Sequence, residues 1–344
     1  MTFVNSLSVL LPPARPISPY DVASSPEWRA VCECPEQPPA DMAIRAGRAA
    51  LAGAAVAPAE VEWVIHCGSG YQGSTGWPVH HHIQHGIIGR AGNALEIRQY
   101  CAGGLTSWAV AEGLVCAGNA VICTGADNWS WEDRFATSRS VGGAAFSDVA
   151  HGAVLSSRQG FAKILGIGTA SCPEQSWPWR TRDAFWEHAT MADFRSAFSR
   201  VAGGGTPESM RDSYAMMCRA VSAALTNAHL SPQYVTHFVP HSSRSGEPYR
   251  SLARTVGLPW EESLHQNNLD HGYLGVSTQP AGLVQLAKEG TLGPDSIVLL
   301  LAAEYALSAT AIVLHIASAP VVSIDGPVKC VSGNGEMPWG ADRD

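Results

Sequence analysis

Cys101 stands where an apolar run meets a helical one. Leu95 and Ile97 precede it, and Cys-Ala-Gly-Gly-Leu-Thr-Ser-Trp-Ala-Val-Ala-Glu-Gly-Leu follows. A cysteine at a helix start feels the positive end of the macrodipole and unpaired backbone N–H groups. Both favour thiolate, the nucleophilic form. The small residues at 102–104 let a substrate or another segment approach closely. The alternative is a buried structural thiol, the commoner state of a free cysteine, which suits Cys116 and Cys123. His241 follows the apolar run Tyr234–Val239 and Pro240, in Val-Pro-His-Ser-Ser-Arg. Carboxyl ends of strands are where α/β proteins place their sites. A histidine there serves as base or donor, or is satisfied by loop backbone.

A third polar stretch, Asn267-Asn268-Leu269-Asp270-His271-Gly272-Tyr273, leads toward a helix at Pro280. It is a site loop or an ordinary turn. His80-His81-His82 with His85 suggests a metal site, but three adjacent histidines cannot converge on one ion from a helix or strand. No cysteine or acidic partner has suitable spacing, so no metal is expected. The glycine clusters at 142–143 and 203–205 lack the Lys-Ser/Thr of a phosphate loop.

The elements that must position these residues alternate. Strands are expected at Val61–Cys67, Leu95–Gln99, Ala120–Gly125, Gly152–Ser156, Tyr234–Val239, Ile297–Ala302 and Ala311–Ile316, and a first strand near the N-terminus. Helical spacing covers Met42–Gly53, Ala102–Ala117, Pro207–Asn227, Tyr249–Val256 and Pro280–Glu289. Thr206 and Pro207 read as a helix start. The alternation predicts an α/β fold with buried sheets. The boundary between halves is expected near Gly160–Thr169, and Ser171–Arg200 reads as an insertion or cap.

The 344 residues are 46% hydrophobic and 15% charged. Typical chains carry about 25% charged residues, so disorder and coiled coil are excluded and a large core is expected. The net charge of −8 argues against nucleic acid or an anionic membrane as the main partner. Nine cysteines, an odd number spread along the chain, do not make a disulfide framework. A reducing, cytoplasmic location is expected. No apolar run reaches the roughly 20 residues of a membrane span, and Pro12 and Pro13 interrupt any signal-like start.

Five motifs in order resemble β-ketoacyl-acyl-carrier-protein synthase III. Cys101-Ala-Gly-Gly104 is similar to its nucleophile turn, and Phe146–Leu155 to its Phe-Gly-Asp-Gly strand. Val239-Pro-His-Ser-Ser243 resembles its histidine motif, Gly272–Pro280 its Gly-Asn-Thr-Ser loop, and Ile297–Ile316 its closing strands. The resemblance runs from about Pro58 to Ile316. It implies the thiolase fold: two duplicated α/β halves in layered α-β-α-β-α order, here residues 1–165 with the cysteine and 166–344 with the histidine, in a homodimer. It also implies an acyl-enzyme on Cys101, with His241 assisting the second half-reaction. The oxyanion hole would use backbone N–H groups of Cys101 and the turn around Tyr305. Trp77 and Trp108 would line the acyl tunnel, with Trp77 reaching the partner's.

The departures carry the functional reading. Where condensing members of the family place an asparagine, this chain has Tyr273, and Gly-Asn-Thr-Ser becomes Gly-Tyr-Leu-Gly. Decarboxylating a malonyl thioester needs two donors on its carbonyl, and losing one typically costs ~10²–10³ in rate. The Gly-x-Leu-Gly form resembles the acyltransferase branch of antibiotic and polyketide pathways. The expectation is therefore transfer from a coenzyme A or acyl-carrier-protein thioester to a hydroxyl, amine or carrier thiol, with His241 as the base and no bound cofactor. Third-position candidates are Tyr273, Asp270 and His271. Arg244, Arg250 and Arg254 are expected to dock the anionic donor, the last two sharing a helix face. The alternatives are a ketosynthase III-type condensing enzyme and a non-catalytic partner subunit.

Overall fold

The computed structural model describes residues 1–18, 27–74, 76–115, 119–130, 134–135, 144–179, 207–242, 245–304 and 307–325. These residues form twelve strands and seven α-helices.

The first repeat starts with β1 (Phe3–Leu10). A small ribbon of β2 (Ala14–Pro16) and β3 (Ala30–Cys32) branches off. Then come α1 (Pro39–Gly53), β4 (Val61–Cys67), α2 (Val79–Ile88), β5 (Asn93–Ile97), α3 (Gly103–Leu114), β6 (Ala120–Asp127) and β7 (Val149–Ser156). The second repeat has β8 (Ala162–Ser171), α4 (Pro207–Asn227), β9 (His237–Val239), α5 (Glu247–Val256), α6 (Glu262–His271), α7 (Thr278–Lys288), β10 (Ile297–Glu304) and β11 (Ser308–Ile316), and β12 (Val322–Asp325) follows.

The two series pair alike. β4 runs parallel to β6, β6 antiparallel to β7, and β7 antiparallel to β1. In the second, β9 runs parallel to β10, β10 antiparallel to β11, and β11 antiparallel to β8. The repeats join at two pairs, Phe3↔Lys163 and Val4↔Ala162, so the strand order is continuous: β5-β4-β6-β7-β1-β8-β11-β10-β9. The stretch 160–169 expected as a boundary lies mostly in β8, and a division at 165/166 falls inside that strand.

The layering follows from which helices are apolar all round. α3 touches β4 and β6 on one side and β10 and β11 on the other, and it meets α7, which lies on β1. α1 covers the outer face of β1, β6 and β7, and α4 that of β8 and β11. Leu105, Trp108 and Ala111 of α3 are fully buried in the core between the two halves of this sheet, with Val121, Leu155, Leu300 and Ile312. At roughly 25 cal/mol per Å² of apolar surface removed from water, this double-sided burial dominates the stability of α3. It also leaves the helix little freedom to shift. Trp108, expected at a tunnel wall, is thus a core side chain, and its indole N–H has no partner. β7 and β6 are buried along their whole lengths.

Candidate active site

Cys101 sits on a single 3₁₀ turn, Tyr100–Ala102, which runs directly into α3. Tyr100 holds φ at +38°, a left-handed conformation that costs a non-glycine residue about 1 kcal/mol or more. Such strain persists only where surroundings enforce it. Here the enforcing contact comes from the other repeat, because this turn packs on the short turn Gly275–Ser277 and on β10. Gly104 makes the approach possible: a Cβ there would stand 2.1 Å from the Val276 carbonyl oxygen.

The Cys101 side chain is buried in a cluster with Trp28, Val31, Trp129, Phe135, Phe146, Leu269 and Tyr273. Ser69 Oγ donates to its Sγ at 3.7 Å. The other buried thiols nearby have no comparable polarising position. Burial pushes Cys123 up to about 12 and Cys67 well above the usual range. Those two are packing residues, whereas Cys101, of the three, stands at a helix N-terminus.

His241 follows β9 and Pro240, as strand-end placement anticipates, and is buried. Its Nε2 lies 2.5 Å from the Tyr273 phenol oxygen, with the rings edge to face. Its Nδ1 faces the Gln279 side-chain amide nitrogen at 3.3 Å. Burial lowers the imidazole to about 4, so the ring is neutral near pH 7. Tyr273 continues an aromatic run: its ring meets Phe146 edge-on at 5.2 Å, and Phe146 stacks on Trp129 at 4.3 Å. The Tyr273 backbone is clamped on both sides, donating to the Ala145 carbonyl and accepting from Ser147 N–H. Tyr273 therefore joins His241 to the cluster around Cys101.

The other two third-position candidates lie elsewhere. Asp270 is drawn outward to Arg29 at 2.5 Å, and that hydrogen bond holds its carboxyl below the usual range. His271 closes α6, its Nδ1 donating to the Asn267 carbonyl. Both stand before Gly272, whose φ of +77° turns the chain and puts Tyr273 on the inside instead.

The arginine pair shares a face of α5, but not as a free cationic patch. Arg250 bonds Glu262 at 2.9 Å, lies near Glu247 and covers Trp260, and Arg254 bonds Glu247 at 2.5 Å. Trp77 is two-fifths exposed and its ring leans on His82. The histidines of the 80–85 run spread around α2, and no metal-holding cluster occurs among the described residues. Arg244 and Tyr305 lie outside the described residues.

Two groups escaped the sequence reading. Asp127 ends β6 as a fully buried carboxylate. It accepts from the backbone N–H of Ser69 at 2.6 Å, of Gly70 at 2.9 Å and of Val276 at 3.4 Å. Desolvation raises it to about 6 against those hydrogen bonds. It ties the loop that carries Ser69 to the Gly275–Ser277 turn, and Gly275 takes φ of +47° beside it. The available signal was its position at the carboxyl end of a central strand. The second is Gln279, which immediately precedes Pro280 in the first turn of α7.

Residues 225–316 match the family model for the C-terminal domain of 3-oxoacyl-[acyl-carrier-protein] synthase III. The β-ketoacyl-[acyl-carrier-protein] synthase III of Paracoccus denitrificans (strain Pd 1222) is 26% identical over 269 residues, 76% of this chain and 80% of that one. Among solved structures, the acyltransferase ChlB3 superposes with TM-score 0.78 at 23% identity, covering 93% of this chain and 98% of its own. The priming β-ketosynthase of the R1128 polyketide pathway gives TM-score 0.72 at 19% identity, covering 93% and 97%. The fold is the thiolase fold these enzymes share.

Proposed function

We propose that this chain, a β-ketoacyl-acyl-carrier-protein synthase III-like protein of the thiolase superfamily, is an acyltransferase. It takes an acyl group from a coenzyme A or carrier-protein thioester onto Cys101 and passes it to a hydroxyl, amine or carrier thiol. In the first step the Cys101 thiolate attacks the thioester carbonyl, the carbon–sulfur bond to the donor breaks, and the donor leaves as a thiolate. In the second the acceptor attacks the Cys101 thioester, Cys101 departs as thiolate, and the acceptor's proton passes to the donor thiolate released in the first step. The helix α3 start stabilises the thiolate in both steps.

The observation that carries this reading is the contact between His241 Nε2 and the Tyr273 phenol. Decarboxylative condensation needs the imidazole and a second donor aimed together at a malonyl carbonyl. Here the second donor's position holds a phenol, and that phenol covers the imidazole. The loss of one oxyanion donor typically costs ~10²–10³ in rate, whereas simple transfer has no such carbonyl to hold. The ChlB3 likeness is consistent with this choice.

The test is intact-mass measurement after incubation with acyl thioesters. The wild-type protein is expected to gain one acyl mass, and Cys101→Ala none, with an unchanged melting curve. An added nucleophile should discharge the adduct as free acyl product. Malonyl thioester should neither lose carbon dioxide nor give a carbon–carbon product. Efficient condensation by the wild-type protein would overturn the reading in favour of a ketosynthase. Absence of any adduct would leave a partner subunit.

A further inference from the structure

We propose that Gln279 sets the tautomer of His241, keeping the ring hydrogen on Nε2 so that the imidazole meets the Tyr273 phenol as a hydrogen-bond donor. The inference does not rest on the choice between transfer and condensation. It revises the expectation that His241 removes the acceptor's proton, because a ring nitrogen that already bears hydrogen cannot take one.

The Leu301 carbonyl oxygen of β10 can only accept, and the Gln279 side chain donates to it at 2.7 Å. The amide must therefore turn its nitrogen that way. Rotating the group would set its oxygen against the Leu301 oxygen at hydrogen-bond distance in a buried place, two acceptors with no hydrogen between them. The same amide nitrogen lies 3.3 Å from His241 Nδ1. It carries hydrogen and has no lone pair to offer, so the Nδ1 it faces must be the lone-pair nitrogen. A hydrogen on Nδ1 would point at another N–H.

A neutral imidazole has one ring hydrogen, and Nε2 is the remaining position. There the Tyr273 phenol oxygen waits at 2.5 Å with lone pairs to accept it. The phenol's own hydrogen is then not spent on His241. The neutrality that the argument needs follows from burial, which keeps the ring unprotonated well below pH 7. Gln279 pays for its orientation: its Oε1 is buried without a partner. An unsatisfied oxygen is tolerated because the nitrogen at the other end holds both Leu301 and His241. Which ring nitrogen carries hydrogen is commonly decided by the partner of the other, and here that partner is an amide rather than a carboxylate.

Nitrogen-15 spectra of the whole protein, labelled at histidine, test this directly. The His241 signals are identified by their loss in His241→Gln. In the wild type near pH 7, Nδ1 is expected as the lone-pair nitrogen and Nε2 as the hydrogen-bearing one. Gln279→Leu should return a mixture of tautomers. Gln279→Glu should move the hydrogen to Nδ1 and raise the titration of the ring, because a carboxylate accepts. Tyr273→Phe should leave the tautomer as it is, which separates Gln279 from the phenol as the determinant. A wild-type spectrum with hydrogen on Nδ1 overturns the proposal. So does a Gln279→Leu spectrum identical to wild type, or a tautomer that changes in Tyr273→Phe. If the Gln279 variants do not fold, the wild-type and Tyr273→Phe spectra decide it.

Discussion

The two repeats hold their halves of the site through corresponding strands, β6 and β10, but by different chemistry. In the first, the Asp127 carboxylate at the end of β6 gathers backbone N–H groups from two loops around Cys101. In the second, the corresponding strand β10 offers the Leu301 carbonyl, which holds the neutral Gln279 amide against His241. A carboxylate only accepts, so it suits several backbone donors and fixes where a loop goes. An amide has a donor end and an acceptor end, so it can tell one ring nitrogen from the other. One repeat therefore anchors position and the other anchors proton placement.

The comparison breaks most sharply at Asp127. Asp127→Ala leaves the half-buried Ser69 and Gly70 N–H groups and the buried Val276 N–H without their acceptor, at roughly 1–3 kcal/mol for a fully buried group. A loss of about 3 kcal/mol in urea unfolding is expected, together with slower acylation of Cys101, because Ser69 would no longer be held against its sulfur. Gln279→Leu removes two neutral hydrogen bonds, to Leu301 and to His241, and an already unpartnered oxygen. It should cost about 1–2 kcal/mol. Equal losses would mean that the two anchors do the same job.

The pH dependence is a middle-sized effect and carries opposite signs for the buried histidines and for the Asp127 carboxylate. His66, His151 and His241 are lowered by burial to about 4, 3 and 4. Unfolded histidines bind protons from about 6.5 downward, so their contribution is full above that pH. It is lost as the pH falls toward 4. Asp127, raised to about 6, favours the protonated form when folded. Its contribution is present below about 3.9 and lost as the pH rises through 6. The protein should destabilise on acidification from 6.5 to 4, and Asp127→Asn should steepen that decline, since it removes the opposing group. Urea midpoints across this range, for both proteins, are the measurement. A shallower decline in Asp127→Asn would contradict the raised carboxyl.

The smallest effect belongs to the α5 surface. Exposed ion pairs contribute about 0–1 kcal/mol, so Arg254→Ala should hardly move stability. Because Glu247 and Glu262 already neutralise Arg250 and Arg254, the KM for a thioester donor should change less than threefold even at low salt. A large rise at low salt would restore the docking role that the sequence suggested.

The main elements were legible because their signals are local. Val61–Cys67 was expected as a strand and is β4, and Pro207–Asn227 was expected as a helix and is α4. The setting of Cys101 before α3 and of His241 after β9 could be read from short windows. A helix is expected between the strand ending at Cys67 and the one at Leu95 and is α2, whose bounds the run of histidines obscures although Val79, Ile83 and Ile87 form its buried stripe. Helix α6 was taken for a loop, since polar residues and a terminal glycine dominate it. Asp127 and Gln279 were invisible for another reason. Their roles exist only through contacts with Ser69 and Leu301, which the fold, not the local pattern, brings near.

Strand β1 has a consequence for how the chain reaches this state. It pairs antiparallel with β7 and with β8, and parallel with β12 through Leu7↔Val322. An early segment of the chain is thus completed by three partners from much later in it. Such long-range pairing must bear loop-closure entropy before it is rewarded, and it slows folding. The buried residues Val4, Leu7 and Val9 stay uncovered in the meantime. Newly made chains should therefore pass through a sticky, incompletely sheeted intermediate whose lifetime is set by the arrival of the second repeat, and aggregation during expression should respond more to substitutions in β7, β8 and β12 than to any change at the nucleophile.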